Sequence, residues 1–284
     1  MGGSLGRALR SIGFSGTLRG LDHPDVLAQA LAVGAIDEAA TDLESGVRDT
    51  DLIVLATPVS AVLDLLPRVV HMAPPQALIT DTGSTKVQVV ERATALLPGR
   101  QRDRFLGGHP MAGSAAGGIA ASDPQLFRGR RWLFCPSQGL GIPPAFGWFL
   151  DLLPTIGAQP LTLSALEHDR AIAALSHVPQ LLATALAAML HDQFLGPRHE
   201  FPPELLQAAG PGAADMTRLA SSPYGVWRDI LLTNSSPIEG ALELLQRELD
   251  HLRLHLRSRE TEARFRDAAA LQRQLAAALS REPS

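Results

Sequence analysis

Short apolar runs alternate with helix-length amphipathic segments over the first 163 residues, and this alternation constrains the fold more than any other feature of the sequence. The run Leu52–Thr57 is apolar on both faces, which is typical of a strand buried within a parallel sheet. Further strands are predicted at Thr17–Leu21, Ala77–Asp81, Phe105–Gly107 and Arg131–Cys135. Because strands that alternate with helices form βαβ units, residues 1–163 are predicted to form an α/β domain with a doubly wound parallel sheet.

The strand signals stop after residue 163, and helical patterns follow to the end of the sequence. Ser164 and Glu167 have the spacing of a helix capping box. Between Ile238 and Leu256, leucine or isoleucine recurs in alternating steps of four and three, as in a heptad seam. The seam could pack within its own domain or against a second copy of the chain. We expect residues 164–284 to form an all-helical domain that builds a homodimer.

The charge balance and the cysteine content exclude several classes of protein. The chain has 25 Lys and Arg against 29 Asp and Glu, so it has no basic excess to attract nucleic acid or anionic lipid. Cys135 is the single cysteine and cannot form an internal disulfide. The apolar run Leu52–Pro67 is too short and too polar to span a bilayer, and no signal peptide pattern is present. We therefore expect a cytoplasmic protein without nucleic-acid or membrane partners.

The first residues resemble the end of a dinucleotide-binding glycine turn. Gly2, Gly3 and Ser4 lead directly into a helical pattern, and Asp22 follows 20 residues after Gly2, at the end of the next predicted strand. In a Rossmann-like fold, an acidic residue at this spacing hydrogen-bonds the adenosine ribose, which favours NAD over NADP. The preceding strand and the first two glycines of the fingerprint are absent from this sequence. We expect either a start placed too late or a descendant that binds NAD poorly.

Three segments fall at the carboxyl ends of predicted strands, where open α/β sheets bind ligands. Thr57 and Pro58 follow the first of these strands, and Ser84 follows the second. Ser84 could also act only as a helix N-cap. His109 lies between Gly108 and a proline, in an extended segment where an imidazole could accept a proton from a hydroxyl near neutral pH.

Eight segments together resemble the motifs of the prephenate dehydrogenase family, in order along nearly the whole chain. These segments are Gly2–Leu5, Ala56–Pro58, Asp81–Lys86, Gly108–Ser114, Glu167–Arg170, Ser176–Pro179, Asp215–Ala220 and Trp227–Asp229. The resemblance implies oxidative decarboxylation of prephenate to 4-hydroxyphenylpyruvate in tyrosine biosynthesis, with NAD as hydride acceptor.

The resemblance also implies roles for individual residues. His109 would accept the proton of the ring hydroxyl, and Ser84 would contact the same hydroxyl and the nicotinamide. Arg218 would pair with a substrate carboxylate, for which a planar guanidinium is suited. Ser114 and His177 would line the substrate site, although His177 could equally be a buried structural histidine. Gly2, Gly3, Ser4, Asp22, Thr57, Pro58 and Ser84 would contact NAD.

Two departures from the family pattern concern the substrate side chain. Ala115 and Ala116 stand where family members commonly carry an acid and a further polar residue, and Ala214 stands where a basic residue is common. Loss of the acid removes a partner for an ammonium group, which favours prephenate over arogenate. An arogenate dehydrogenase remains the alternative.

Other functions fit the sequence less well. The β-hydroxyacid dehydrogenases use a lysine of their helical domain, and here no lysine follows Lys86. A non-catalytic binding protein descended from the enzyme would agree with the incomplete glycine turn but leaves Ser84, His109 and Arg218 unexplained. His251 and His255 are four residues apart on a predicted helix, but no neighbour in sequence completes a ligand set, so no metal is predicted.

Overall fold

The computed structural model describes residues 1–113 and 117–280. The N-terminal part alternates helices and strands. Its elements are α1 (Gly2–Ser11), β1 (Arg19–Gly20), α2 (Pro24–Ala32), β2 (Glu38–Ala39), α3 (Leu43–Val47), β3 (Leu52–Leu55), α4 (Val59–Met72), β4 (Leu78–Asp81), α5 (Val87–Leu96), β5 (Phe105–Pro110), β6 (Arg131–Pro136), α6 (Gly147–Thr155) and β7 (Gln159–Thr162). The C-terminal part is helical. Its elements are α7 (Ala165–Ile172), a π-helical turn (Ala173–His177), α8 (Val178–Phe194), α9 (Pro211–Thr217), α10 (Tyr224–Thr233), α11 (Ser235–Leu254) and α12 (Arg259–Ser280).

The main sheet has five strands in the order β3-β4-β5-β6-β7, and β1 and β2 form a separate parallel pair. Strands β3, β4 and β5 are parallel, as predicted, but β6 runs antiparallel to β5. A parallel return needs a crossover connection, usually a helix. Among the described residues, the connection from β5 to β6 contains only the short 3-10 helix Ile119–Ala121, so the chain returns antiparallel. The α/β prediction is confirmed, with a mixed rather than wholly parallel sheet.

Apolar side chains fill both faces of the main sheet. On one face, α1 and α6 pack against Trp132 and Phe134 of β6. On the other face, α4 and α5 pack against Ile79, Phe105 and Cys135. Because consecutive residues of a strand point to opposite faces, Phe134 and Cys135 belong to different cores. Helices on both faces define the doubly wound arrangement, and the parallel direction of β3, β4 and β5 places their carboxyl ends along one edge.

Strand β3 differs from its prediction. The run Leu52–Thr57 was expected to be buried on both faces, but only Leu55 is buried, and the other three residues of β3 are half-buried. The reason is the position of β3 at the edge of the five-stranded sheet. Strands β2 and β7 were not predicted: β2 has only two residues, both exposed, and β7 begins with Gln159 and Pro160.

The helical part begins as the sequence predicts. The hydroxyl of Ser164 accepts a hydrogen bond from the Glu167 backbone N–H, and the Glu167 carboxylate accepts one from the Ser164 N–H. The helical run that follows is interrupted at the π-helical turn, just before Pro179. A proline inside an α-helix lacks its N–H and clashes with the carbonyl four residues earlier, which a wider turn relieves.

One helical stretch meets the length and composition of a membrane span. Ala165–Phe194 contains 30 residues, and its most apolar window has a mean hydropathy of 1.5. This segment was not recognised from the sequence, where Leu52–Pro67 is the most apolar run. Apolar core helices of folded domains pass the same test, and 33% of this window is buried within the chain. The segment also carries the buried polar residues His168 and Asp169.

The predicted heptad seam lies along α11 but is covered unevenly. Ile238 is buried against α10 and the π-helical turn, and Leu242 packs beside it. Farther along the helix, 51% of Leu249 is exposed, and Leu256, which falls just beyond the helix end, is 73% exposed. Within a single chain, the seam therefore packs in its own domain at one end and leaves its other end uncovered.

Candidate active site

The predicted cofactor residues lie along the carboxyl edge of the sheet. Helix α1 begins at Gly2, and a Cβ atom placed on Gly2 would lie 3.3 Å from the Cβ of Ala56, at the end of β3. A Cβ atom on Gly3 would lie 2.3 Å from the Cδ1 of Ile119, so a larger residue there would require the Ile119 side chain to move. Ser4 is buried, and its hydroxyl accepts a hydrogen bond of 3.1 Å from the Asp123 N–H. The first turn of α1 is thus held close to the end of β3.

Asp22, Thr57 and Pro58 are exposed residues at strand ends. Asp22 follows β1 and precedes α2, and its carboxylate accepts a hydrogen bond of 2.7 Å from the His23 N–H. Thr57 and Pro58 follow β3, and Pro58 is the residue before α4. Together with the α1 N-terminus, these positions offer backbone donors for a pyrophosphate and a carboxylate for a ribose, as a dinucleotide requires.

The ends of β4 and β5 are joined by a buried ion pair. The Lys86 ammonium pairs with the Asp81 carboxylate, and both side chains are fully buried. The same ammonium donates a hydrogen bond of 2.8 Å to the Gly108 carbonyl, while the Gly108 N–H donates one of 3.0 Å to Asp81. The single lysine of the chain therefore fixes the backbone on which His109 stands, beside the loop that carries Ser84.

Two carboxylates from the helical part cap two helices of the α/β part. Asp169 accepts hydrogen bonds from the backbone N–H groups of Lys86 and Val87, at 2.7 and 2.8 Å, at the start of α5. Asp229 accepts one of 3.1 Å from the Ser60 N–H at the start of α4. Carboxylates at these positions accept hydrogen bonds from N–H groups that have no partner within the helix. Their negative charge also interacts favourably with the helix dipole. The N-terminus of α5 is therefore capped by Asp169. Helix capping was the alternative role considered for Ser84.

His109 faces the helical part across this junction. Its Nδ1 lies 2.8 Å from the Nε2 of His168, and the Nδ1 of His168 lies 2.7 Å from the Oδ1 of Asp169. His109 is 8% exposed, and His168 and Asp169 are buried. Burial is the largest cause that holds the pKa of His109 well below the ordinary value of 6.5, and the positive charge of Lys86 acts in the same direction. His109 is therefore neutral at neutral pH, the state that a proton acceptor needs.

His177 lies at the end of the π-helical turn and is buried. Its Nδ1 is 3.1 Å from the amide nitrogen of Asn234, which also donates to the Asp169 carbonyl at 2.9 Å. A carbonyl can only accept, so this atom of Asn234 is the NH₂ group, and Nδ1 of His177 accepts from it. Burial lowers the pKa of His177 to about 4. His177 is thus a neutral imidazole whose Nε2 carries the hydrogen.

The remaining predicted substrate residues are placed differently. Arg218 begins the 3-10 helix Arg218–Ser221, and its side chain is exposed and forms no ion pair among the described residues. This turn is fastened to α8, because the Gln180 amide donates a hydrogen bond of 2.7 Å to the Leu219 carbonyl. Ser114 lies outside the described residues.

Sequence reasoning missed His168, Asp169 and Asn234 as parts of the site. Their contacts with the other site residues join positions 57 to 83 residues apart in sequence, from the Asn234–His177 hydrogen bond to the one from Lys86 to Asp169. The available signal was an imidazole next to a carboxylate at the start of an apolar helix, where buried polar groups need partners.

His251 and His255, for which no third metal ligand was predicted, have Glu260 nearby. The Glu260 carboxylate lies 3.8 Å from Nε2 of His251 and 3.5 Å from Nδ1 of His255. Because Glu260 belongs to α12 while both histidines lie at the end of α11, only the fold brings the three together. The cluster lies in the helical part, apart from the residues around His109, and Glu260 is exposed.

Comparisons with known proteins identify both parts of the chain. Residues 5–159 match the family description "Prephenate dehydrogenase, nucleotide-binding domain", and residues 164–271 match "Prephenate dehydrogenase, dimerization domain". The chain is 34% identical to a prephenate dehydrogenase of Bacillus subtilis over 94% of its own length and 70% of that relative. It is also 34% identical to a prephenate dehydrogenase of Lactococcus lactis, over 86% of this chain and 65% of that one.

The fold agrees with these matches. A crystal structure of prephenate dehydrogenase from A. aeolicus, in complex with hydroxyphenyl propionate and NAD+, superposes with a TM-score of 0.82 at 27% identity, over 96% of this chain and 94% of that one. The two family matches together cover most of the sequence, in the order of the two parts described above. The chain belongs to the prephenate dehydrogenase family.

Proposed function

We propose that this protein is an NAD-dependent prephenate dehydrogenase, which converts prephenate into 4-hydroxyphenylpyruvate and carbon dioxide. The observation that carries the proposal is His109, an imidazole kept neutral by burial at the carboxyl end of β5, where the helical part closes over the sheet. Membership of the family supports the same reaction. The protein is an oxidoreductase of tyrosine biosynthesis.

The residues at the carboxyl edge fit NAD. Gly2 and Gly3 place no side chain of their own beside the backbone donors of the α1 N-terminus, and Asp22 offers a carboxylate at the end of β1. Thr57, Pro58 and Ser84 border the same edge, and Ser4 fixes the first turn of α1. Bound there, NAD would supply the acceptor for the hydride of the ring carbon that bears the hydroxyl.

The protein's own residues bind the substrate and take up a proton. His109 accepts the proton of the ring hydroxyl, and Ser84 contacts that hydroxyl from the loop after β4. Arg218 binds a carboxylate of the substrate, and His177 and Ser114 complete the substrate pocket. Because loss of carbon dioxide yields an aromatic ring, the site needs mainly to orient the reactants and remove this proton.

The sequence directly after Ser114 favours prephenate over arogenate. The two differ by a keto group in place of an ammonium, and an ammonium buried without a carboxylate partner is costly. Ala115 and Ala116 occupy positions where an acid would serve as that partner. Arogenate dehydrogenase remains the second candidate.

The assay that tests this function follows NADH formation with purified protein and each substrate in turn. With prephenate, we expect NADH, carbon dioxide and 4-hydroxyphenylpyruvate in equal amounts. Turnover of arogenate at higher kcat/KM than prephenate would reverse the substrate assignment. No turnover of either, in protein that binds NAD, would support a non-catalytic descendant.

The partner proposals follow from the helical part. The match to a dimerization domain and the uncovered end of the α11 seam support a homodimer. We infer a cytoplasmic enzyme that acts on a small soluble substrate, without nucleic-acid or membrane partners. The balance of 25 basic and 29 acidic residues supports the absence of a nucleic-acid partner.

A further inference from the structure

Three buried side chains form a continuous hydrogen-bonded chain across the junction of the two parts. It runs from Nδ1 of His109 to Nε2 of His168 at 2.8 Å, and from Nδ1 of His168 to Asp169 at 2.7 Å. His109 lies on β5, whereas His168 and Asp169 lie on α7. Each imidazole can carry its hydrogen on either nitrogen, so the proton positions must be worked out from the end where they are fixed.

The Asp169 carboxylate fixes that end. Its two oxygens already accept hydrogen bonds from the Lys86 and Val87 N–H groups, and a carboxylate has no hydrogen to donate. The hydrogen between Asp169 and His168 therefore belongs to Nδ1 of His168. Burial lowers the pKa of His168, which keeps this imidazole neutral. A neutral imidazole with hydrogen on Nδ1 has a bare Nε2.

The bare Nε2 of His168 determines the state of His109. Because it can only accept, Nδ1 of His109 must donate the hydrogen of the 2.8 Å bond. Neutral His109 then has its lone pair on Nε2, which has no hydrogen-bond partner among the described residues. The opposite tautomer would place two bare nitrogens against each other and leave no acceptor for a substrate proton.

We propose that His168 and Asp169 are positioning residues that hold His109 with Nε2 unprotonated and directed to the substrate hydroxyl. This inference rests on the proposed function, in which His109 is the proton acceptor. The same Asp169 carboxylate caps α5, which directly follows the loop of Ser84. One carboxylate of the helical part thus sets both the tautomer of the base and the start of the helix after Ser84. His109 is correctly prepared only when the two parts are packed together.

The tautomer can be measured directly in the unmodified protein by two-bond nitrogen–proton NMR at pH 7.5 with ¹⁵N-histidine labelling. The His109 signals are assigned by their loss in His109→Gln. We expect a protonated Nδ1 and a bare Nε2 on His109, and a protonated Nδ1 on His168. A protonated Nε2 on His109 would overturn the proposal. This measurement needs no turnover, so it stands even if the protein oxidises neither prephenate nor arogenate.

A kinetic comparison tests the consequence. In His168→Leu, the acceptor for His109 is lost, and we expect kcat to fall on the order of 10²-fold while the Kd for NAD is unchanged. The matched control is His191→Leu, because His191 is exposed on α8 and, within the described part of the chain, its side chain pairs with Asp192 alone, at 3.3 Å. In Asp169→Asn, the His109 signals should report a mixture of tautomers. Wild-type kcat in a folded His168→Leu protein would contradict the positioning role.

Discussion

His109 is buried and has a defined hydrogen-bond partner. Its substitution tests the chemical step separately from cofactor binding. In His109→Ala, we expect turnover to fall by at least ~100-fold, the usual scale for loss of a general base, with little change in NAD affinity. Steady-state kinetics with prephenate and a fluorescence titration with NAD measure the two quantities. A variant that keeps most of its turnover would remove His109 from the mechanism.

Arg218 is an exposed guanidinium on a turn that α8 holds in place. We expect Arg218→Ala to raise the KM for prephenate with a smaller effect on kcat, because the lost contact holds the substrate before and during the reaction. Arg218→Lys should recover only part of the loss, since an ammonium cannot form the two parallel hydrogen bonds of a guanidinium. Arg228, whose side chain pairs with Asp229, provides the matched control as Arg228→Ala. An unchanged KM in Arg218→Ala would mean that another residue binds the carboxylate.

Individual residues of the candidate site differ in how far the sequence could predict them. His109 and Ser84 stand in local patterns of glycine, proline and strand ends, so they could be identified from neighbours in sequence. Asp169 could not be placed, because its partners at Lys86 and Val87 lie more than 80 residues away. The role of Lys86 was also not predictable in detail, because its hydrogen bond to the Gly108 carbonyl forms only when β4 and β5 are neighbours in the sheet.

The π-helical turn is the element that positions His177. We expect Pro179→Ala to let this turn relax toward an α-helix, because the backbone N–H returns and the clash of the ring disappears. The variant should be at least as stable as wild type, but kcat/KM should fall severalfold as His177 shifts. Thermal unfolding and prephenate kinetics measure the two effects.

Pro67, inside α4, provides the matched control for this variant. Pro67→Ala should also restore a helix N–H, but it should leave kcat/KM unchanged because α4 carries Pro67 away from the strand ends. An equal loss of kcat/KM in both variants, or in neither, would contradict a specific role of the π-helical turn.

Elements were predictable from sequence where a local pattern marks them. Helix α7 was predicted because its capping box is such a pattern, and α1 because a helical pattern directly follows Gly2, Gly3 and Ser4. Strand β2 escaped prediction because two exposed residues carry no hydrophobic pattern. The antiparallel direction of β6 relative to β5 could not be predicted from the apolar residues of β6, because the direction of a strand depends on the connection that precedes it.

Dimerisation is a property of the whole molecule. The exposed end of the α11 seam provides a place to test it. Leu249 is 51% exposed and lies on the stripe whose buried end begins at Ile238. We expect wild-type protein to sediment as a dimer and Leu249→Glu to shift the equilibrium to monomer, because a charge within an apolar interface is costly. Glu243→Lys, on the exposed surface of the same helix, serves as control. Unchanged sedimentation of Leu249→Glu would place the interface elsewhere.

The stability of the whole molecule should depend on pH through three buried neutral histidines. The pKa values of His109, His168 and His177 are all lowered by burial, that of His177 to about 4. In the unfolded chain these imidazoles return to a pKa of about 6.5. Below that pH the unfolded state binds more protons than the folded state, so the free energy of unfolding must decrease as pH falls. Above about pH 7 both states are neutral and the effect vanishes.

Urea unfolding at pH 7.5, 6.0 and 5.0 measures this dependence. Each histidine that only the unfolded chain protonates contributes a slope of up to about 1.4 kcal/mol per pH unit, and the window for His177 ends near its folded value of about 4. The carboxyls of Asp42 and Glu167, whose pKa values are lowered by hydrogen bonds, lose their contribution only at lower pH, so they do not obscure the range from 6.5 to 5. His109→Ala should show a shallower slope than wild type over that range, because one titrating group is removed. A free energy of unfolding that stays constant between pH 7 and pH 5 would mean that these histidines take up protons equally in the folded and the unfolded chain, and it would contradict the lowering of their pKa values by burial.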